Sequence, residues 1–212
     1  MQRDLPVPRD LDQALAEISA IRSQIARTIV FRGFGPATVA VTALLAVAAA
    51  IAQATFVREP TADVIRYVVL WGVTALGCGA LVGVEMVARA RRVHLTLANE
   101  MLWTAIEQFL PAAVAGGLLT VVLVGYVPEA TWMLPGLWQI TFSLGVFASC
   151  RFLPPPMFLV GAWYLTAGLA TIVLARGTHA FSPVGMGSGF GVGQLLTAVI
   201  LQVYREEEDA EV

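Results

Sequence analysis

The sequence contains no lysine, and only 13% of its 212 residues are charged. Soluble domains average about 25% charged residues, because their surfaces must face water. The shortfall, together with 58% hydrophobic residues and a mean hydropathy of +0.76, favours lipid as the surrounding solvent. The sequence therefore predicts an all-α fold, a polytopic membrane helical bundle whose first partner is the lipid bilayer.

Residues that bind metals, cofactors or nucleic acids are also scarce. There are two cysteines and two histidines, and neither pair has the spacing of a metal or haem site. The arginines form no patch interleaved with aromatic residues, which argues against nucleic acid binding. No catalytic triad, zinc-binding helix or dinucleotide-binding motif is present. We therefore expect no metal, no cofactor, no nucleic acid partner and no enzymatic activity.

Six apolar segments follow one another along the chain, each long enough to cross a hydrocarbon core of about 30 Å as a helix. They predict one transmembrane domain at residues 36–204, preceded by a cytoplasmic segment at residues 1–35 and followed by a solvated acidic tail at residues 205–212. The predicted spans are residues 37–56, 67–84, 101–126, 130–150, 152–175 and 180–204.

The arginines are distributed unevenly between the two sides of the predicted bundle. Ten lie in the N-terminal segment, in the loops after the second and fourth spans, and in the tail, and three lie in the other loops. Positively charged loops favour the cytoplasmic side. Both termini are therefore predicted to face the cytoplasm.

The N-terminal segment has the pattern of an amphipathic helix. Asp10 is a suitable N-cap, and apolar residues follow at helical spacing, namely Leu11, Leu15, Ile18, Ile21, Ile25 and Ile29. Three arrangements remain open. The helix lies on the inner membrane surface, packs across the cytoplasmic ends of the spans, or forms a self-associating coiled coil.

Two carboxylates fall within or beside the predicted spans. Glu85 precedes Arg89 by four residues, which is the spacing of an ion pair on one helix face. Glu107 lies about six residues, or roughly 9 Å, into the third span, with Gln108 next to it. Pro111 removes the amide donor that the Glu107 carbonyl would use. An acid at this depth is a functional candidate, and three roles are considered for it: a packing pair, a site for a proton, cation or small ligand, and a catalytic acid.

Glycines at four-residue spacing mark two helix faces, one in the second span and one in the sixth. They are Gly79, Gly83, Gly185, Gly189 and Gly193. Such spacing lets two helices approach closely, so we predict helix-packing surfaces. The alternative for the sixth span is an unwound helix lining a substrate cavity, with Gln194 near the middle of the membrane.

Residues 107–111, 134–139 and 145–154 resemble small multi-pass inner-membrane proteins of bacteria. The resemblance implies a bacterial inner-membrane location and carries no catalytic or binding residues with it. The function favoured by the sequence is a non-enzymatic structural, sensing or regulatory membrane component, acting as a homo-oligomer or with a membrane partner protein. The alternative is a small proton- or cation-coupled transporter or channel that uses Glu107.

Overall fold

The computed structural model describes residues 35–92, 96–150, 153–175 and 177–210. Within these ranges the chain is helical and forms no strand, which confirms the all-α prediction. The amphipathic helix predicted before residue 35 lies outside the described residues.

Six α-helices and two short 3₁₀ helices make up the described chain. The 3₁₀ helices are Pro128–Met133 and Gly177–His179. Prolines lie in the first turn of several of the α-helices, where a missing amide hydrogen is tolerated. The α-helices are α1 (Pro36–Phe56), α2 (Val64–Arg92), α3 (Thr96–Tyr126), α4 (Leu134–Ser149), α5 (Met157–Leu174) and α6 (Pro183–Ala210).

Five of the six α-helices are long and apolar enough to cross a membrane. Their apolar stretches are Pro36–Phe56, Val64–Arg89, Ile106–Tyr126, Met157–Leu174 and Pro183–Glu207. The predicted fourth span, residues 130–150, divides instead into a 3₁₀ helix and the 16-residue helix α4. Pro135 lies in the first turn of α4 and has no amide hydrogen, so the residues before it adopt the tighter 3₁₀ turn. The count of six membrane-spanning helices is therefore not confirmed.

Helix α6 differs from its predicted form in two ways. It continues to Ala210, so the first residues of the predicted acidic tail lie on the helix. There the Gln202 side-chain amide donates to Glu206 Oε1 at 2.6 Å. It also runs unbroken through its glycines, so the unwound alternative is not observed.

The helices differ in how much of their surface is buried. Half of the apolar stretch of α6 is buried, and eight of the 16 residues of α4 are buried, whereas the apolar stretches of α2 and α3 are 11% and 6% buried. Helix α1 packs most extensively against α6, and α4 packs against both α3 and α5. Helices α1, α4, α5 and α6 therefore form the packed part of the bundle, and α2 and α3 lie at its periphery.

Candidate functional site

The predicted ion pair forms at the end of the bundle where α1 begins and α2 ends, which we call the Glu85 end. Arg89 Nη2 lies 2.6 Å from Glu85 Oε1. The other carboxylate oxygen, Oε2, accepts a hydrogen bond from the Gly35 amide at 3.0 Å. Glu85 is 19% exposed and Arg89 is 41% exposed. The acid thus bonds α2 to Gly35, the residue immediately before α1, and its charge is compensated on its own helix.

Glu107 occupies a different environment from Glu85. It is exposed on α3, and the apolar window of that helix begins at Ile106. The sequence placed Glu107 well inside the third span, but the apolar stretch begins only one residue before it. Gln108 is half-buried, and α3 continues as a helix through Pro111.

One glycine face of α6 lies against polar side chains of α4 and α5. A methyl group added at Gly189 would lie 2.6 Å from Gln139 Oε1, and one added at Gly193 would lie 2.6 Å from the Tyr164 hydroxyl oxygen. Gly185, on the same face, has ordinary contact distances to α5. At Gly189 and Gly193, glycine is therefore needed for the close approach of the neighbouring helices.

A second glycine face of α6 lies against α1. A methyl group at Gly187 would lie 2.7 Å from Ala50 Cβ, and one at Gly191 would lie 3.2 Å from Val47 Cγ2. Because both partners are small or branched apolar residues, this interface is held by close packing rather than by hydrogen bonds.

The glycines of α2 have a different environment. A methyl group added at Gly79 or Gly83 would meet no atom of the described residues within 4 Å. Gly79 is itself exposed. The small-residue face of α2 is therefore open, whereas that of α6 is filled.

Several buried or half-buried polar side chains in the packed part of the bundle were not singled out in the sequence. Ser143 donates to the Gly161 carbonyl oxygen at 2.7 Å, which connects α4 to α5. Trp163 Nε1 donates to the Gly189 carbonyl oxygen at 2.9 Å, which connects α5 to α6. Gln194, which was singled out, is half-buried on α6.

Gln139 completes this set of bonds between helices. It is fully buried, and its Nε2 donates to the Gly185 carbonyl oxygen at 3.2 Å. Its Oε1 has no hydrogen-bond partner among the described residues. Its position in the sequence, between a tryptophan and an isoleucine, gave no sign that it would be enclosed.

A second group of buried residues lies where α1 ends and α2 begins, and we call this the cleft end. Gln53 is fully buried and bonds two elements at once. Its Nε2 donates to the Phe181 carbonyl oxygen at 2.6 Å, and its Oε1 accepts from Trp71 Nε1 at 2.8 Å. Tyr67 packs its ring edge-on against Phe181, with ring centroids 4.7 Å apart, and stacks on Trp138.

An open cleft of about 540 Å³ lies at the same end. Three connections contribute to it, namely those between α1 and α2, α3 and α4, and α5 and α6. Its lining residues are Thr61, Pro128, Glu129, Thr131, Trp132, Gly177, Ala180 and Phe181.

Metal ligands do not gather anywhere in the described ranges: these hold no group of three or more His, Cys, Asp or Glu side chains that could bind a metal ion. Cys78 and Cys150 are both free thiols, each half-buried.

No family model matches the chain, and no curated protein or solved structure matches it. The class is therefore indicated by the fold alone. An all-helical chain with five helices suited to crossing a bilayer is compatible with a multi-pass membrane protein.

Proposed function

We propose that this chain is an integral membrane protein of the bacterial inner membrane that acts as a non-enzymatic structural, sensing or regulatory component. The observation that carries the proposal is the way its intramembrane polar groups are used. Glu85 bonds to Gly35 and Arg89, and Ser143 and Trp163 donate to backbone carbonyls of adjacent helices. These groups hold helices together, which is the usual role of polar residues in closed membrane bundles.

The proposal includes six membrane crossings, with α4 as the additional one. Helix α4 alone spans about 24 Å at 1.5 Å per residue. The 3₁₀ helix Pro128–Met133 leads directly into α4 at Leu134 and adds about 12 Å at 2.0 Å per residue. Together they exceed the hydrocarbon thickness of about 30 Å. Packing of α4 between α3 and α5 supports this arrangement.

Six crossings place both termini on one side, and the arginine distribution favours the cytoplasm for that side. The Glu85 end then faces inward and the cleft end faces outward. Residues 1–35 would then be cytoplasmic. The arginine distribution is the sequence argument for this orientation, and the resemblance to bacterial inner-membrane proteins is the argument for the location.

We also propose that the protein associates within the membrane, with a second copy or with another membrane protein, through α2. Gly79 and Gly83 have the same four-residue spacing as the glycines of α6. The glycine faces of α6 are covered by neighbouring helices, whereas the face at Gly79 and Gly83 is uncovered. In lipid, helices associate through close packing at small residues. A partner helix at this face would give α2 the contacts that it lacks within the chain.

A proton- or cation-coupled transporter using Glu107 is the rival account. It requires Glu107 to face an internal path, whereas the side chain is exposed near the start of the α3 apolar stretch. Proton uptake by vesicles containing the purified protein, under an imposed membrane potential, separates the two functions. We expect empty vesicles and wild-type vesicles to take up protons at the same rate. A protein-dependent flux that Glu107→Gln abolishes would overturn the proposed function.

A further inference from the structure

The open cleft formed by the three connections has the size and position of a ligand site. Its volume of about 540 Å³ falls within the range of small-molecule pockets, roughly 300–1,000 Å³. It lies where three separate connections meet, so its walls come from distant parts of the chain. Neither the packing of the bundle nor an association through α2 requires such a cavity.

The chemistry of the lining is specific. Trp132 is the partly exposed aromatic residue of the lining, because Phe181 is 2% exposed and its ring lies in the buried cluster. Glu129 is the one side chain among the lining residues with an ionisable group. Glu129 is exposed, so its carboxylate is accessible to a solute entering the cleft. Aromatic faces beside a carboxylate are the combination that attracts an organic cation, because the ring quadrupole and the negative charge act in the same direction.

The backbone at Phe181, which lies behind the cleft, is held rigidly. Phe181 has a φ angle of +57°, in the left-handed region that a bulky residue rarely adopts. Gln53 holds this conformation by donating to the Phe181 carbonyl oxygen, and the Tyr67 ring packs against the Phe181 ring. Strained backbone that the surrounding structure maintains is found preferentially at binding sites. Trp132 packs against the buried cluster that contains Phe181, so the same contacts support the one accessible aromatic side chain of the cleft.

The buried cluster behind the wall also contains an unpaired polar group. Tyr67 is fully buried, and its hydroxyl has no hydrogen-bond partner among the described residues. A polar group left unpaired in a low-dielectric interior is unfavourable by about 1–3 kcal/mol. Phenylalanine at this position would provide the same ring for packing without a buried, unpaired hydroxyl. Gln139 Oε1 and the Tyr164 hydroxyl are also buried without partners among the described residues, so this feature is not confined to the cleft end.

We propose that this cleft binds the ammonium group of a compact organic cation, with Glu129 as its counter-charge and Trp132 as its aromatic wall. The cleft is larger than a bare ammonium group, so apolar substituents of the ligand also fit. Such a group reaches this face of the protein either as a free solute or as the headgroup of a phospholipid. The inference does not depend on the function proposed above.

The test uses the full-length protein in nanodiscs made of phosphatidylglycerol, which has no ammonium group. Three probes of the same shape separate charge from size: choline, neutral 3,3-dimethylbutan-1-ol and anionic 3,3-dimethylbutanoate. Binding is measured by calorimetry and by the shift in thermal unfolding. We expect saturable binding of choline, and binding of the neutral probe that is about tenfold weaker or less. Equal binding of the neutral probe, preference for the anion, or no saturable binding at millimolar choline would overturn the proposal.

Two matched variants test the assignment of residues. Glu129→Gln should weaken choline binding about tenfold, whereas Glu59→Gln, an exposed acid that does not line the cleft, should leave it unchanged. Trp132→Leu should also weaken binding, and it retains an apolar side chain against the cluster. Equal effects of Glu129→Gln and Glu59→Gln would contradict a local site. Phosphatidylcholine added to the nanodiscs identifies the source: competition with choline indicates a lipid headgroup, and unchanged binding indicates a free solute.

Discussion

The contact between α4 and α5 gives the sharpest test of close packing in this bundle. Gly136 and Gly168 face each other across that contact. A methyl group added at Gly168 would lie 2.8 Å from the Gly136 carbonyl oxygen, 2.8 Å from Ile140 Cγ1 and 3.1 Å from Gln139 Cβ. Optimal separations between nonbonded carbon atoms are about 3.5–4.0 Å. Because one of these neighbours is backbone, rotation of a side chain cannot relieve the clash.

We therefore expect Gly168→Ala to separate α4 from α5 and lower the free energy of unfolding by about 2 kcal/mol, within the range of about 1–3 kcal/mol seen for overpacked cores. The higher helix propensity of alanine, worth up to about 1 kcal/mol in water, opposes this loss. Gly79→Ala is the matched control, because its methyl group meets no atom of the described residues within 4 Å. It receives the same gain in propensity without the clash.

The assay is reversible unfolding in mixed micelles with increasing mole fraction of sodium dodecyl sulfate, followed by tryptophan fluorescence and helicity. Wild-type and Gly79→Ala proteins should unfold at similar detergent fractions, and Gly168→Ala should unfold earlier. Equal stability of the two variants would refute the close α4–α5 contact on which the packing account depends.

Three other predictions concern single residues elsewhere in the bundle. Gln53→Leu should lower the unfolding free energy by about 1–3 kcal/mol, because it leaves the Trp71 indole and a buried carbonyl without partners; unchanged stability in the same assay would argue against the network. Glu107→Gln should change stability by less than about 0.5 kcal/mol, since the side chain is exposed, and a large loss would reveal a buried partner. Gly79→Leu should reduce association measured by cross-linking in membranes, whereas its exposed neighbour Ala80→Leu should not; equal cross-linking of the two would place the association surface elsewhere.

The positions of five helices could be predicted from the sequence, because each contains an apolar stretch long enough to cross a membrane. Residues 37–56 were predicted as the first span, and α1 covers Pro36–Phe56. The division of the fourth segment was not predicted. Hydropathy averages over the whole segment, whereas the helix type is set locally by Pro128 and Pro135.

The buried polar groups were harder to predict than the helices. Gln53 lies between two alanines in an apolar stretch, yet it is fully buried and bonds Trp71 and Phe181. Glu107 drew attention because it is charged, and it lies exposed near the start of an apolar stretch. Whether a polar residue faces a neighbouring helix depends on contacts between distant segments of the chain. The spacing of apolar residues within one helix does not reveal those contacts.

The number of membrane crossings is the central claim of this account, because the three connections that line the cleft lie together on the outer side only if α4 crosses. Reporter fusions after residue 58, after residue 179 and at the C-terminus measure it directly. Six crossings with α4 included predict an external signal at residues 58 and 179 and a cytoplasmic signal at the C-terminus. If α4 does not cross, residue 179 and the C-terminus exchange sides while residue 58 remains external, and that result would contradict the account.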